Sequence, residues 1–583
     1  MFGKLKTYPF WELVKRHRRQ YVLGLVTLIL VDVINVVLPL LIRSGLDAIP
    51  TRQMNIVWAS AAGILLLMSG QSIGRFMWRV YLMGASNEIA RDLRRDLYSH
   101  LQRMPLKYYQ SVKTGDLMSR ATNDVEAVRM AVGPGILVAL DAVIMFVLII
   151  PVMIVLSPRL TLYAFAFYPI APFLTRWLGG KIEVLFDTLQ TKLSSLSSYA
   201  QESFGAIRLI KSLVLESTAA RRFSELSETY AITGERLARY EAIFSPALGL
   251  MTNMGTFLIL LMGGKSVVEG ALTLGTFVAF QRFVVQLSWP MEAIGWATTM
   301  QQEGKAALSR LRSVMDIAPV TDSQVKRMGR GDHDLLVEKL KFGYGGQFDL
   351  ELQGLRAAGG KKIGIVGPVG SGKTTLFNLL LRLYEPPPGA VFVGGEDVIH
   401  IPRAELRGVI ASVEQQVFLF SETIESNVSM GMASAPSTEV IRQFIQSAGV
   451  WDEVVGLNDG VSSVLGERGV NLSGGQKSRL ALARALVRQS PILILDDCFS
   501  SVDVEVERRI IQNLFRVAKN TTVLIASHRL SIMPLVDEIW VLDNGRLNAR
   551  GTHRELLESN SLYQSLWHRA SSSSRWEETG QTL

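Results

Sequence analysis

The chain has 583 residues, more than one hydrophobic core organises, so two or more domains are expected. Forty-eight per cent are apolar and the mean hydropathy is +0.24, high for a soluble protein, with the excess concentrated before residue 305. The net charge of +9 fits the positive-inside bias of a membrane protein better than nucleic-acid binding.

From the N-terminus, Lys4, Lys6, Lys15, Arg16, Arg18 and Arg19 precede the first apolar run, so residues 1–19 read as a cytoplasmic segment. They lack a small-residue cleavage site after a short apolar core, and no removable signal peptide is expected. Six apolar runs follow, at roughly 20–43, 56–84, 135–156, 160–179, 243–263 and 275–299, each long enough to cross a bilayer. They define a six-helix all-α transmembrane domain over 20–316. The connections after the first, third and fifth runs are short and charge-poor. Those after the second and fourth, Ser86–Val132 and Gly180–Glu241, are long and rich in Lys and Arg, which puts them inside the cell. Each is long enough for a down-and-back helical pair reaching some 30 Å past the bilayer.

Polar side chains at membrane depth are candidates for function. Asp32 and Asn35 fall in the first run, Arg75 and Arg79 in the second, Asp141 in the third and Arg282 in the sixth. Asp32 and Asp141 are substrate-contact candidates, since a pair of acids favours cationic amphiphiles. Structural ion pairs, Asp32 with Arg75 or Asp141 with Arg282, are the competing expectation. Trp78, Trp289 and Trp296 either line an adaptable apolar pocket or simply pack and face lipid.

A linker over 317–334 leads to a domain over 335–568 in which strands and helices alternate, an α/β pattern. It opens on the alternating strand Leu335–Tyr344. Residues Gly367, Pro368, Val369, Gly370, Ser371, Gly372, Lys373 and Thr374 then fit GxxxxGK[ST], between an apolar strand and a helix that begins with Thr375. Backbone N–H groups of such a loop curl around phosphate oxygens at a helix N-terminus; the lysine reaches the outer phosphates and the threonine hydroxyl holds Mg²⁺. ATP and Mg²⁺ are therefore the expected ligands. The single cysteine, Cys498, leaves no intrachain disulfide and fits a reducing compartment. Residues 569–583 are polar and are expected to be disordered.

About 100 residues past the P-loop come Leu472, Ser473, Gly474, Gly475 and Gln476, and then Ile492-Leu-Ile-Leu-Asp496-Asp497. The P-loop, LSGGQ and an apolar strand ending in aspartate together resemble the ATP-binding cassette (ABC) family. Tyr108–Asp124, Gln201–Lys211 and Gly304–Leu311 are similar to the coupling segments and exit helix of type I ABC exporters, so the likeness runs over about residues 10 to 568. It implies that Tyr344, 29 residues before Lys373, stacks on adenine, a packed surface tyrosine being the alternative. Gln415 takes the Q-loop position, touching Mg²⁺ and the attacking water, with Glu414 where proline is usual. Asp496 binds Mg²⁺ through water, His528 contacts the γ-phosphate, and Asp503 of the D-loop crosses toward a partner. Gly466-Glu-Arg-Gly469 matches the exporter X-loop.

In this family LSGGQ closes over ATP held by the opposite cassette, so a chain with one cassette is expected to pair with a second half-transporter, a different chain being the favoured partner and a second copy of this one the alternative. Asp497 stands where glutamate normally polarises the hydrolytic water. The resemblance is to the multidrug-type half that lends its signature to a heterodimeric partner and carries a weakened site. The expected activity is ATP-driven export of hydrophobic or amphipathic small molecules, with a lipid or glycolipid flippase as the alternative. The expected location is a bacterial inner membrane. A soluble DNA-repair or translation ATPase needs a long coiled coil or two cassettes instead of six apolar runs. An ATP-gated channel or regulatory subunit would bind ATP without pumping.

Overall fold

The computed structural model describes residues 10–166, 171–322, 333–346, 349–432, 434 and 436–580. The chain forms two compact units: Met1–Gln102 with Lys113–Ala318, and Arg103–Val112 with Pro319–Leu583.

The first unit is helical throughout. Among the described residues three helices are long and apolar enough to cross a membrane, Arg18–Ala48, Met54–Leu101 and Thr114–Leu156, while the apolar helix Asn253–Val268 is shorter. The fourth expected span runs through 167–170, outside the described residues, with helices Pro158–Phe165 and Ala171–Gly205 on either side. The sixth departs from expectation, because 275–299 is two helices, Leu274–Gln286 and Ser288–Met315, broken at Leu287. Pro290 has no N–H to give the carbonyl four residues back, at Gln286, so the ladder stops there. A proline also marks the widened turn Ala131–Gly135 within the third helix, where Pro134 removes a donor.

The long connections are helical pairs. Met54–Leu101 runs 48 residues without a break, about 70 Å at 1.5 Å per residue. A six-residue helix, Leu106–Ser111, turns the chain before the return from Thr114. The second pair is Ala171–Gly205 and Glu216–Leu258, turned by the short helix Ile207–Ser212.

Small residues let the first two spans approach. A Cβ on Gly74 would lie 2.6 Å from Val31 Cγ2, and one on Gly24 would lie 2.5 Å from Leu82 Cγ. In lipid, where apolar surface alone gives no preference for another helix, such close packing is a main source of association.

The second unit is built on a ten-stranded sheet. Its strands are β1 Leu335–Gly343, β2 Asp349–Ala357, β3 Lys362–Val366, β4 Val391–Val393, β5 Glu396–Asp397, β6 Ile410–Val413, β7 Ile492–Asp496, β8 Thr522–Ala526, β9 Glu538–Asp543 and β10 Arg546–Gly551. They lie in the order β5-β4-β1-β2-β10-β9-β3-β8-β7-β6. The run β9-β3-β8-β7-β6 is parallel, and β3, β7 and β8 are buried at every residue, as apolar runs covered on both faces must be. One core packs helices Thr438–Ser447, Gly474–Leu486 and Val504–Val517 on the sheet, and the other packs Lys373–Leu380 and the antiparallel strands.

The tail differs from expectation. Helix Ser561–Gly580 continues through the segment from 569 that composition marked as disordered. Its first turns are anchored by Tyr563, Leu562, Leu566 and Trp567 on the core, and an established helix propagates into polar sequence more easily than it nucleates there.

Replacing Gly74 by leucine should separate the first two spans. The expected result is a loss of monodisperse, detergent-extracted protein and a lowered melting temperature, read by size exclusion and thermal unfolding; Gly70→Leu, which meets open space, serves as the control.

Candidate nucleotide-binding site

Parallel strands β6, β7, β8 and β3 deliver the loops that follow them to one edge of the sheet, and every sequence-selected residue around Lys373 sits there. After β3, the glycine-rich loop turns into helix Lys373–Leu380, with Gly372 at φ +100°. Gly367 has no room for a side chain, because a Cβ would stand 2.2 Å from the Leu542 carbonyl oxygen. The buried Lys373 ammonium donates to the carbonyls of Gly367 (2.8 Å) and Pro368 (3.0 Å) and to the Ser371 hydroxyl (3.3 Å). Burial pulls this lysine below its ordinary range, while Asp496 and Asp497 act in the opposite sense.

Asp496 closes β7, and its carboxylate is hydrogen-bonded to the Thr374 side chain; burial pushes the acid up and Thr374 draws it down. Asp497 follows in the left-handed region at φ +43°, which aspartate tolerates better than most side chains. Its N–H donates to the Ala526 carbonyl at 2.9 Å. Its Oδ2 accepts from Gln415 Nε2 at 3.5 Å and its Oδ1 from the His528 backbone N–H at 3.3 Å. The carboxylate thus ties the loop after β6 to the loop after β8. The His528 ring is exposed and acts electrostatically on Asp496. The Thr374 hydroxyl, the Asp496 carboxylate and the Gln415 amide oxygen are hard oxygen donors, too few to cage a cation alone. That fits Mg²⁺ completed by phosphate and water.

Tyr344 is 46% exposed and held edge-on by Phe342 (5.2 Å between centroids) and Tyr384 (5.1 Å), with its hydroxyl donating to Thr375 Oγ1 at 3.3 Å. This arrangement leaves ring surface for a base. Tyr384 was not singled out from the sequence. Its hydroxyl donates to Gln110 Oε1 at 2.7 Å, linking the aromatic cluster to the turn Leu106–Ser111 that packs with this unit. An aromatic at the end of the P-loop helix was the available signal.

Ser473 caps helix Gly474–Leu486 in a capping box: Gln476 N–H donates to Ser473 Oγ at 3.3 Å and Ser473 N–H to Gln476 Oε1 at 2.8 Å. Leu472 packs on the core. Gly474 and Gly475 lie against Ser501, leaving the helix start free of side chains. Among the described residues no hydrogen bond joins LSGGQ to the P-loop of the same chain. Asp503 has a local role, its Oδ1 accepting from the N–H groups of Glu505 (2.9 Å) and Val506 (3.5 Å) to cap helix Val504–Val517.

In the helical unit Asp32 and Asp141 meet each other. Among the described residues neither forms the expected ion pair with Arg75 or Arg282; Arg75 acts on both acids through space. Trp289 Nε1 donates to Asp141 Oδ2 at 3.1 Å and packs edge-to-face on Trp296.

Residues 21–291 match the family model for the ABC transporter transmembrane region, and residues 353–500 match that for the ABC transporter. The chain is 32% identical over 574 residues to the multidrug resistance-like ATP-binding protein MdlA of Escherichia coli, covering 97% of this chain and 96% of that one. It is 28% identical over 559 residues to the ATP-dependent lipid A-core flippase of Syntrophus aciditrophicus, covering 95% and 93%. A bacterial Atm1-family ABC exporter solved with ATP bound superposes with a TM-score of 0.76 at 23% identity, over 95% of this chain and 98% of that one. The fold is that of an ABC exporter, and the chain belongs to the ABC transporter family. It is an integral, multi-pass membrane protein whose ATPase activity is coupled to transport, and exporters of this family work as dimers.

A feature not legible in the sequence lies behind Asp497. Glu507 is fully buried, neither carboxylate oxygen meets a hydrogen-bond donor, and Arg529 Nη1 is 3.9 Å away. Burial above all, with help from Asp497 and against Arg529, pushes this acid up to about 7. Its folded value exceeds its unfolded one, so the native state binds more protons between roughly pH 4.5 and 7, and stability falls as pH rises through that window. Glu507→Gln should therefore raise the melting temperature of the purified protein by a few degrees at pH 8 and by little at pH 5. Equal shifts at both pH values would count against this account.

Proposed function

We propose that this protein is one half of a heterodimeric exporter of hydrophobic or amphipathic small molecules, holding ATP at its own P-loop without efficiently hydrolysing it. The carrying observation is Asp497 in the position of the catalytic base. Aspartate is one methylene short of glutamate, about 1.5 Å, and misplacement on the order of 1 Å can cost about 100-fold in rate. Its carboxylate is also engaged by Gln415 and the His528 backbone, which limits its freedom to reach toward an attacking water.

In this reading Lys373 leaves the carbonyls of Gly367 and Pro368 for the β- and γ-phosphates, and the loop N–H groups enclose them. Tyr344 stacks on adenine. Thr374, Asp496 and Gln415 hold Mg²⁺, which when bound offsets the charge of the phosphates. Gln415 and His528 orient the γ-phosphate and its water. The start of helix Gly474–Leu486, with Ser473, Gly474 and Gly475, meets ATP bound to the partner; the absence, among the described residues, of a hydrogen bond from it to its own P-loop supports this. The partner then supplies a competent base, and one pocket turns over while the other clamps. Movement of the cassettes reaches the six spans through the helical arms, and the Gln110–Tyr384–Tyr344 chain is one contact through which occupancy of the adenine site can be sensed.

Likeness to bacterial relatives supports a bacterial inner membrane, and likeness to MdlA supports the multidrug class. The similarity to a lipid A-core flippase supports a second reading, translocation of a lipid or glycolipid on the same scaffold. Stimulation of ATPase activity by lipophilic drugs but not by lipids would favour the first; the reverse would favour the second.

A tagged copy extracted from its native membrane should bring down a different half-transporter in equal amount and no untagged copy of itself. In that complex, neutralising the partner's base should lower ATP turnover about 100-fold, and Asp497→Glu should restore a substantial part of it. Brisk hydrolysis by a pair of copies of this chain would overturn the proposal.

A further inference from the structure

The helical unit contains a polar cluster that ATP chemistry does not use. Asp32 lies in helix Arg18–Ala48, Gln71 in Met54–Leu101, Asp141 in Ile136–Leu156, Gln286 at the end of Leu274–Gln286 and Trp289 at the start of Ser288–Met315. Asn35, one turn from Asp32, organises it. Its Nδ2 donates to Asp32 Oδ1 at 3.5 Å, its Oδ1 accepts from Gln71 Nε2, and its carbonyl accepts from Gln286 Nε2 at 3.2 Å.

These bonds take one N–H from each amide and leave acceptors over. Asp32 is 1% exposed, yet its Oδ2 meets no hydrogen-bond donor, and the buried Gln286 Oε1 is likewise without one. The Asp141 carboxyl stands within hydrogen-bonding reach of Asp32 but is another acceptor when ionised. Trp289 satisfies one Asp141 oxygen. Arg75 is exposed and makes no ion pair with either acid among the described residues. Two carboxyls meeting at membrane depth are costly unless a positive group lies between or beside them, a shared proton or a cation. Beside the pair, Trp289 (44% exposed) and Trp296 (60% exposed) stand edge-to-face at 6.0 Å, offering open π surface to a cation.

We infer that Asp32, Asp141 and Trp289 form a subsite for the charged head of a lipophilic organic cation, the acids supplying counter-charge and the tryptophans an apolar, cation-accepting wall. The cation takes the place of the proton shared by the acids. This inference rests on the export reading and narrows its substrate class. An inorganic ion suits the site less well, because the free oxygens of Asp32, Asp141 and Gln286 are too few to cage a hard ion that takes about six, while the indole faces favour bulk and low charge density.

Tetraphenylphosphonium and tetraphenylborate, alike in shape and opposite in charge, are the probes. Their binding to the purified transporter with its partner in lipid nanodiscs is measured by equilibrium dialysis, and their uptake in inside-out vesicles by radiolabel. Wild-type protein should favour the phosphonium. Asp32→Asn and Asp141→Asn should each weaken it at least tenfold while leaving the borate unchanged or tighter, and Asp32→Glu should retain phosphonium binding. Unaltered phosphonium binding in both asparagine variants overturns the subsite. An equal loss of both probes also overturns it, since the acids would then only hold the helices together. Should wild-type vesicles accumulate neither ion nor an uncharged amphiphile, the export reading itself fails; should they accumulate these while the variants match wild type, only the subsite does.

Discussion

Four parallel strands in register, β6-β7-β8-β3, are the constraint on which the nucleotide site depends. Asp496 pairs with Ala526 across β7 and β8, and Ala526 with Ile365 across β8 and β3. The ladder therefore ends at one level, and the loops beyond it bring Gln415, Asp497, the P-loop and His528 within reach of one small volume. Because β3, β7 and β8 are buried on both faces, their side chains alternate between two cores, and a slip of one residue would exchange the residues fitted into each. Precision at the site is thus a consequence of burial far from it.

At that edge electrostatics is left incomplete in a useful way. A buried lysine rests on carbonyls, a buried aspartate on a threonine hydroxyl, and a second aspartate sits in a left-handed conformation bridging two loops. Each of these groups is held by neutral or weakly polar partners rather than by a full opposite charge. Behind it, Glu507 and Arg529 hold an imperfect pair in which the arginine also donates to the Ser500 and Val502 carbonyls, so the D-loop is anchored from inside the domain.

The helical unit follows a different rule. With lipid outside, apolar area discriminates little between helices, and close contact through Gly24 and Gly74 and the linked amides of Asn35, Gln71 and Gln286 set which helices meet. Asn35 also holds Asp32, Trp289 holds Asp141, and acceptors are left over between them. Prolines set where the ladder relaxes: Pro134 within the third helix and Pro290 just after the break at Leu287, beside the polar cluster.

Local motifs were legible because their chemistry requires particular residues in unbroken order. The P-loop, LSGGQ with its capping box, and the apolar strand ending in Asp496 each write their geometry into a few consecutive residues, as do the helical arms in their length and charge. What the linear order could not reveal was which distant groups share a space. Asp32 and Asp141 are 109 positions apart, and their competing partners, Arg75 and Arg282, were equally plausible until helix packing chose between them. Tyr384 meeting Gln110, Glu507 buried without a donor, and the break in the sixth apolar run at Leu287 belong to the same kind. Burial and long-range pairing are properties of the packed chain, fixed by steric fit and desolvation among segments that the sequence keeps apart.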